Sequence, residues 1–160
     1  MRLKNQVEWA LHCCAILAGL PTGRYLGTKA LSELHGVPKE YLSKALQALS
    51  KAELVEGALG PSGGYRLARR PGAISFWDVV SAVEGNGPAF ICTEIRRNNP
   101  CRPEGACDAG PCAIARVMWQ AEAAWRDKLS AMSLADLAAT LEQDVAPDLM
   151  QATAAWVAVH

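Results

Sequence analysis

Apolar residues return every three or four positions along most of this chain, and the pattern breaks at glycine and proline. From about Gln6 to Leu20 the run carries Val7, Leu11, Ile16 and Leu17, and Gly19, Pro21 and Gly23 close it, which predicts a first helix. Two polar residues interrupt it, Glu8 and His12, four apart and therefore neighbours on one helical face. Between residues 28 and 56, Ala30, Leu31 and Leu34 give a short apolar face, with Thr28 as its N-cap. Gly36 and Val37 make a tight turn, and Pro38 suits the first position of the next helix. There Leu42, Ala45, Leu46 and Leu49 fall at i, i+3, i+4 and i+7, one buried stripe, while Lys39, Tyr41, Ser43, Lys44 and Gln47 take the other face. Two short helices about a glycine turn predict a helix-turn-helix.

The period then changes from helical to alternating. LVEGAL and GYRLA, either side of the glycine-rich GPSGG from Gly60 to Gly64, predict a hairpin with a long tip. A hairpin directly after a helix-turn-helix is a wing, and Arg66, Arg69 and Arg70 lie on or just past it. ISFWDVVSAVEG predicts another helix ending at Gly85, and a Pro-, Gly- and Cys-rich loop follows. A long helix is expected over residues 113–132, with Ile114, Val117, Ala121, Trp125 and Leu129 near one stripe. A long apolar-faced helix attached to a small domain needs a partner surface, so a homodimer is expected. SLADLAATL predicts a short further helix; the last stretch, APDLMQATAAWVAVH, is compatible with helix but shows no clear place in the fold. The fold class is mainly α with a small β-hairpin wing. Its divisions are a winged helix-turn-helix over 1–85, a cysteine loop over 86–112, a dimerisation helix and short helix over 113–145, and a tail over 146–160.

Charge sharpens the reading. The formal net charge is zero, yet residues 1–70 hold ten Lys/Arg against five Asp/Glu, a balance of +5, and residues 71–160 hold six against eleven, a balance of −5. A basic front half on a helix-turn-helix and wing points to double-stranded DNA. Lys39, Tyr41, Ser43, Lys44 and Gln47, with Pro38 at the helix start, are placed to reach a major groove. Lys29 and the wing residues Ser62, Gly63, Gly64, Tyr65 and Arg66 are placed to hold phosphates or enter the minor groove. A two-fold dimer would read a pseudo-palindromic operator with half-sites spaced by whole helical turns. The apolar opening run, which holds Glu8 and His12, is a poor signal peptide and too short and polar to span a membrane, so the expected location is cytoplasmic. No phosphate-binding glycine motif and no nucleophile elbow occurs, which argues against an enzyme.

In the cytoplasm six cysteines suggest metal or redox chemistry rather than disulfides. Cys13 and Cys14 lie inside an apolar helix and are assigned to packing. The other four, Cys92, Cys101, Cys107 and Cys112, fall within 21 residues, separated by eight, five and four, among Pro100, Pro103, Gly105, Gly110 and Pro111. Such a loop suits wrapping around a metal centre, and thiolates are the soft ligands of iron–sulfur clusters or zinc. The absence of a Cys-x-x-Cys pair disfavours a zinc ribbon.

The order of parts (a first helix with Glu8, a winged helix-turn-helix, the segment GPSGGYRLARR, a cysteine loop and a long helix) resembles the Rrf2 family of bacterial winged-helix transcription regulators. The resemblance spans roughly residues 1–145; GGYRLAR and the cysteine loop are its most specific parts. It implies a homodimer with crossing long helices and an iron–sulfur cluster near the interface of each subunit. VEWALHCC, FICTEI and GPCAIARVMWQAEAAW are most similar to the family's redox-sensing RsrR type, which ligates a [2Fe–2S] cluster through two cysteines, a glutamate and a histidine. The matching residues are Cys92 and Cys112 of one subunit with Glu8 and His12 of the other. Here the Cys107–Cys112 spacing is one residue short of the usual three-cysteine pattern, and Cys101 is additional. Cys107 is therefore an alternative third ligand, with a [4Fe–4S] cluster sensing nitric oxide or iron; a zinc-stabilised or metal-free repressor is the other alternative. Trp9, beside Glu8, is the expected switch residue: oxidation state or cluster loss would bias the first helix and, through it, operator affinity.

Overall fold

The fold is organised around its first helix, α1 (Asn5–Ala18), in which Val7, Ala10, Cys13, Cys14 and Leu17 are buried along one side. Gly19 ends it, its backbone N–H donating to the Ile16 carbonyl at 3.1 Å while that of Leu20 donates to the Leu17 carbonyl at 3.3 Å. These and the following observations come from a computed structural model that describes residues 2–160. The described chain falls into two compact units, residues 2–86 together with 129–160, and residues 87–128.

In the larger unit α1 packs against α2 (Thr28–His35), α3 (Lys39–Lys51), the hairpin, α4 (Phe76–Glu84) and α6 (Leu134–Asp144). The expected stripe of α3 is realised in full: Leu42, Ala45, Leu46 and Leu49 are all buried. Gly36 ends α2 in the left-handed conformation, φ 62°, which glycine adopts without steric cost and which makes the tight turn into α3. Two expectations at helix starts are corrected. Gly27, not Thr28, is the N-cap of α2, and Pro38 is the extended N-cap of α3 rather than its first helical residue. In both cases the backbone turns helical one residue away from the expected position, and neither cap uses a side-chain hydrogen bond.

Strands β1 (Val55–Ala58) and β2 (Gly64–Leu67) pair antiparallel in the register Val55–Leu67 to Ala58–Gly64. Leu26 joins this hairpin through an isolated bridge to Tyr65. The contact is close: a Cβ on Gly64 would lie 2.2 Å from the Leu26 carbonyl oxygen, and Gly64 has φ 148°. Glycine is therefore required by sterics where the wing meets the body of the domain.

Helices α4 and α6 begin with matching capping boxes, Ser75 with Asp78 and Ser133 with Asp136. The two starts lie side by side, the Phe76 N–H donating to Met132 O at 2.8 Å and the Leu134 N–H to Ile74 O at 2.9 Å. The final stretch forms a helix, α7 (Pro147–Val159), which places buried Val157 and half-buried Trp156 against the same core. Among the described residues no helix is long and apolar enough to cross a membrane.

The smaller unit consists of the cysteine loop, with a short 3-10 turn at Ile95–Asn98, and most of helix α5 (Ala113–Ser130). In α5 only Ala115 is buried, and Ile114, Val117 and Met118 form an open apolar face.

Leu46 sits at the centre of the α3 stripe with no solvent exposure. Leu46→Ala should cost about 2–5 kcal/mol of unfolding free energy in a denaturant titration, through lost burial and the cavity left behind. A loss well under that range would show that α3 does not pack on the core as described.

Candidate functional site

Three groups of side chains concern function: the exposed face of the helix-turn-helix with its wing, the outer edge of α1, and the cysteine loop.

On α3 the residues expected to meet DNA do form the outer face. Pro38, Lys39, Tyr41, Lys44 and Gln47 are exposed, and Ser43 is half-buried. Lys44 Nζ lies 5.6 Å from the centre of the Tyr41 ring, so the two occupy one patch. Lys29 on α2 is exposed and pairs with Glu33 one turn on, at 3.7 Å. At the wing tip Ser62 is exposed, whereas Gly63, Gly64, Tyr65 and Arg66 are half-buried. Gly63 and Gly64 serve the close backbone approach: a Cβ on Gly63 would fall 2.2 Å from the Ala58 carbonyl oxygen. Tyr65 packs against the core. Arg66 is engaged with Glu56 across the hairpin and lies over the Tyr25 ring at 4.7 Å, so part of its charge is already matched. The exposed cations of this surface are therefore Lys29, Lys39 and Lys44, with Arg69 and Arg70 just past the wing.

Glu8 and His12 come together on the exposed edge of α1. With Leu3, Val7, Leu11, Ala15, Phe76, Leu137 and Leu141 they line a groove of about 460 Å³ whose walls are mostly apolar. Glu8 has no hydrogen-bond or ion-pair partner among the described residues. His12 faces His35, the last residue of α2, with ring centres 5.6 Å apart at 54°. Burial, reinforced by His12 nearby, lowers the His35 pKa, and its Nε2 is buried without a hydrogen bond. Trp9 is half-buried against the core. Cys13 and Cys14 are fully buried; burial pushes both thiols up to about 12, which suits packing and not ligation.

In the loop all four cysteines are free thiols; Cys92 and Cys112 are half-buried, Cys101 and Cys107 exposed. An ion-pair network that the cysteine spacing did not reveal organises it. Asp108 receives Arg102 at 3.0 Å, Arg97 at 3.4 Å and Arg96 at 3.6 Å. Arg96 also donates to Glu94 at 2.7 Å and to the Gly110 carbonyl at 2.6 Å, so one side chain clasps the two ends of the loop. The Cys92 thiol lies 3.8 Å from Glu94, and the Arg96 bond to Gly110 falls two residues before Cys112. The network thus runs from one of these cysteines to the other. Hydrogen bonding from Arg102 holds the Asp108 carboxyl below its ordinary range, and that from Arg96 does the same for Glu94. Glu94 has φ 54°, a left-handed conformation unusual for a residue with a side chain. The placement of three arginines, Arg96, Arg97 and Arg102, between Glu94 and Asp108 in a loop almost without apolar anchors was the available signal. Among the described residues, no three His, Cys, Asp or Glu side chains converge as a metal-binding group.

The winged-helix arrangement finds its match outside the chain. The Rrf2 family, described as an iron-dependent transcriptional regulator, matches residues 3–140. The chain belongs to the Rrf2 family. It is 34% identical over 138 residues to the protein rrf2 of Nitratidesulfovibrio vulgaris, covering 86% of this chain and 87% of that one. Its fold is similar to that of T. potens IscR, with a TM-score of 0.68 at 21% identity over 94% of this chain and 96% of that one. It is also similar to CymR, the global cysteine regulator of B. subtilis, with a TM-score of 0.65 at 21% identity over 88% of this chain and 98% of the other. This Rrf2 protein is thus a transcriptional regulator of DNA-binding, winged-helix type, and not an enzyme.

Asp108 is the centre of the loop network, and Asp108→Asn removes the charge that three arginines share. Limited trypsin digestion should then cut faster after Arg96 or Arg97, with the rest of the chain as resistant as before. Unchanged cleavage at those sites would show that the network does not order the loop.

Proposed function

We propose that this Rrf2 protein is a homodimeric, cytoplasmic repressor that reads redox or iron–sulfur status through a [2Fe–2S] cluster, bound by Cys92 and Cys112 of one subunit and by Glu8 and His12 of the other. The observation that carries this reading is the edge of α1. A carboxylate without a hydrogen-bond or ion-pair partner among the described residues and an imidazole one turn on line an open, mostly apolar groove. Their O and N donors complement two thiolates. Cys92 and Cys112 are the half-buried cysteines of the loop and lie at either end of the Glu94–Arg96 clasp, which supports them over exposed Cys101 and Cys107. The open face of Ile114, Val117 and Met118 on α5 supports a second copy as partner. When bound, the cluster supplies a one-electron redox centre.

The chain's own contacts give a route from these ligands to DNA. His12 meets His35 immediately before the Gly36 turn of the helix-turn-helix. The Gln6 side chain donates to the Tyr41 carbonyl on α3 at 3.3 Å. A shift of α1 therefore acts on both helices that set the DNA-facing surface, and Trp9, half-buried against the core, moves with it. On the DNA side, exposed Lys39, Tyr41, Lys44 and Gln47 address the major groove, and Lys29 and Ser62 the backbone.

The ligand set is tested by spectra of anaerobically purified protein with iron and sulfide counts. Glu8→Ala and His12→Ala should each alter the visible spectrum, Cys92→Ser and Cys112→Ser should abolish it, and Cys101→Ser and Cys107→Ser should leave it unchanged. A spectrum insensitive to both Glu8 and His12, or lost on Cys107→Ser, would transfer the assignment to the three-cysteine alternative. A colourless zinc protein would refute the cluster altogether.

A further inference from the structure

Helix α7 lies beyond the residues matched by the family, and the expected DNA-reading surface makes no use of it. Its end is nevertheless fixed to the root of the wing. The Arg24 guanidinium donates to the carbonyls of Val157 at 2.7 Å and Ala158 at 2.9 Å. The last carbonyls of a helix lack intrahelical donors and carry the negative end of its dipole, so a guanidinium satisfies both needs there.

Arg24 opens a four-residue segment in which every member is tied to a different part of the DNA-binding unit. Tyr25 donates from its hydroxyl to Glu56 on β1 at 3.3 Å and lies beneath Arg66 of β2. Leu26, fully buried, exchanges two backbone hydrogen bonds with Tyr65, at 3.0 and 2.9 Å. Gly27 is the N-cap of α2, and its carbonyl accepts from the Leu31 N–H at 3.1 Å. At Gly64 the strand approaches so closely that even a Cβ would collide with Leu26. A displacement of Arg24 along the chain is therefore passed to the wing and to the start of α2 with little slack.

We infer that α7 braces the wing for DNA, with Arg24 as the positioning residue that couples them. The inference rests on the wing being a DNA contact. Without the brace the 24–27 segment frays from its exposed end, the wing's contacts with phosphate are made less often, and DNA binding loses part of its electrostatic component.

The test is a double-mutant cycle on the full chain with Arg24→Ala and Trp156→Ala, the second removing a packed anchor of α7 without placing a charge beside Arg24. Affinity is measured for a mixed-sequence duplex across a salt series, and amide exchange at Leu26 and Tyr65 without DNA. Each single variant should lower affinity roughly five-fold or more, and the double variant no further, because both remove one coupling. The dependence of log affinity on log salt should flatten by about one phosphate contact, and protection at Leu26 and Tyr65 should fall. Arg24→Lys, which keeps a donor at the helix end, should recover part of each effect. A general loss of folded protein would reduce affinity without changing the salt slope, and that result overturns the brace. So does an Arg24→Ala effect that Trp156→Ala fails to reproduce, which would make Arg24 a direct DNA contact, or unchanged protection in both variants. Ser62→Glu at the wing tip separates the two claims. If it weakens binding while Arg24→Ala does not, the brace alone fails; if Ser62→Glu has no effect, the wing reading fails and the brace, as a DNA device, fails with it.

Discussion

The burial of one side of α1 is the constraint from which the rest of this structure follows. Ala10, Cys13, Cys14 and Leu17 are the surfaces on which α2, α3, α4, α6 and the hairpin meet, so α1 has almost no freedom to move alone. Close packing of this kind resists gradual deformation and passes a displacement on to its neighbours. The opposite edge of the same helix carries Glu8 and His12 over an open groove. One element is thus both the keel of the DNA-binding unit and the candidate holder of a signal. Cys13 and Cys14 are part of the keel, and Glu8 and His12, the two polar residues that interrupt the apolar run, are the proposed ligands.

Electrostatics does for the cysteine loop what packing does for the larger unit. The loop has few buried apolar side chains, and Ile91 and Ile95 are exposed. Its conformation is held instead by guanidinium groups shared between Glu94 and Asp108 and by the Arg96 bond to Gly110. Exposed ion pairs contribute little one by one, but a network with a common, largely shielded carboxylate (the Asp108 side chain is 16% exposed) restricts several segments together. A loop ordered by charge rather than by a core can yield when a bound group changes, and that suits a sensor.

Much of this architecture was legible in the sequence because it depends on local rules. The α3 stripe, the Gly36 turn, the glycine tip of the wing and the long helix each follow from spacing and from residues with special backbone freedom. The starts of α2 and α3 were off by one residue, since Thr28 and Pro38 are acceptable on either side of a helix boundary. Helix α7 could not be placed because its apolar residues surround it rather than forming one stripe, and its decisive partner, Arg24, is more than a hundred residues away. The Asp108 network and the His12–His35 contact were missed for a related reason: both are tertiary, and neither has a sequence period. At the wing, Arg66 carries the charge expected of a DNA contact, yet Glu56 and Tyr25 already engage it, a pairing visible only once the hairpin register is known.

The central claim is that the state of the α1 edge sets DNA affinity. It is tested most directly by titrating one operator duplex at fixed salt with the oxidised, reduced and cluster-free forms of the same dimer. The account predicts that at least two of the three forms differ by about five-fold or more, the lower range of ordinary allosteric coupling. Identical affinities for all three would contradict it, leaving α1 as a structural keel with no part in sensing.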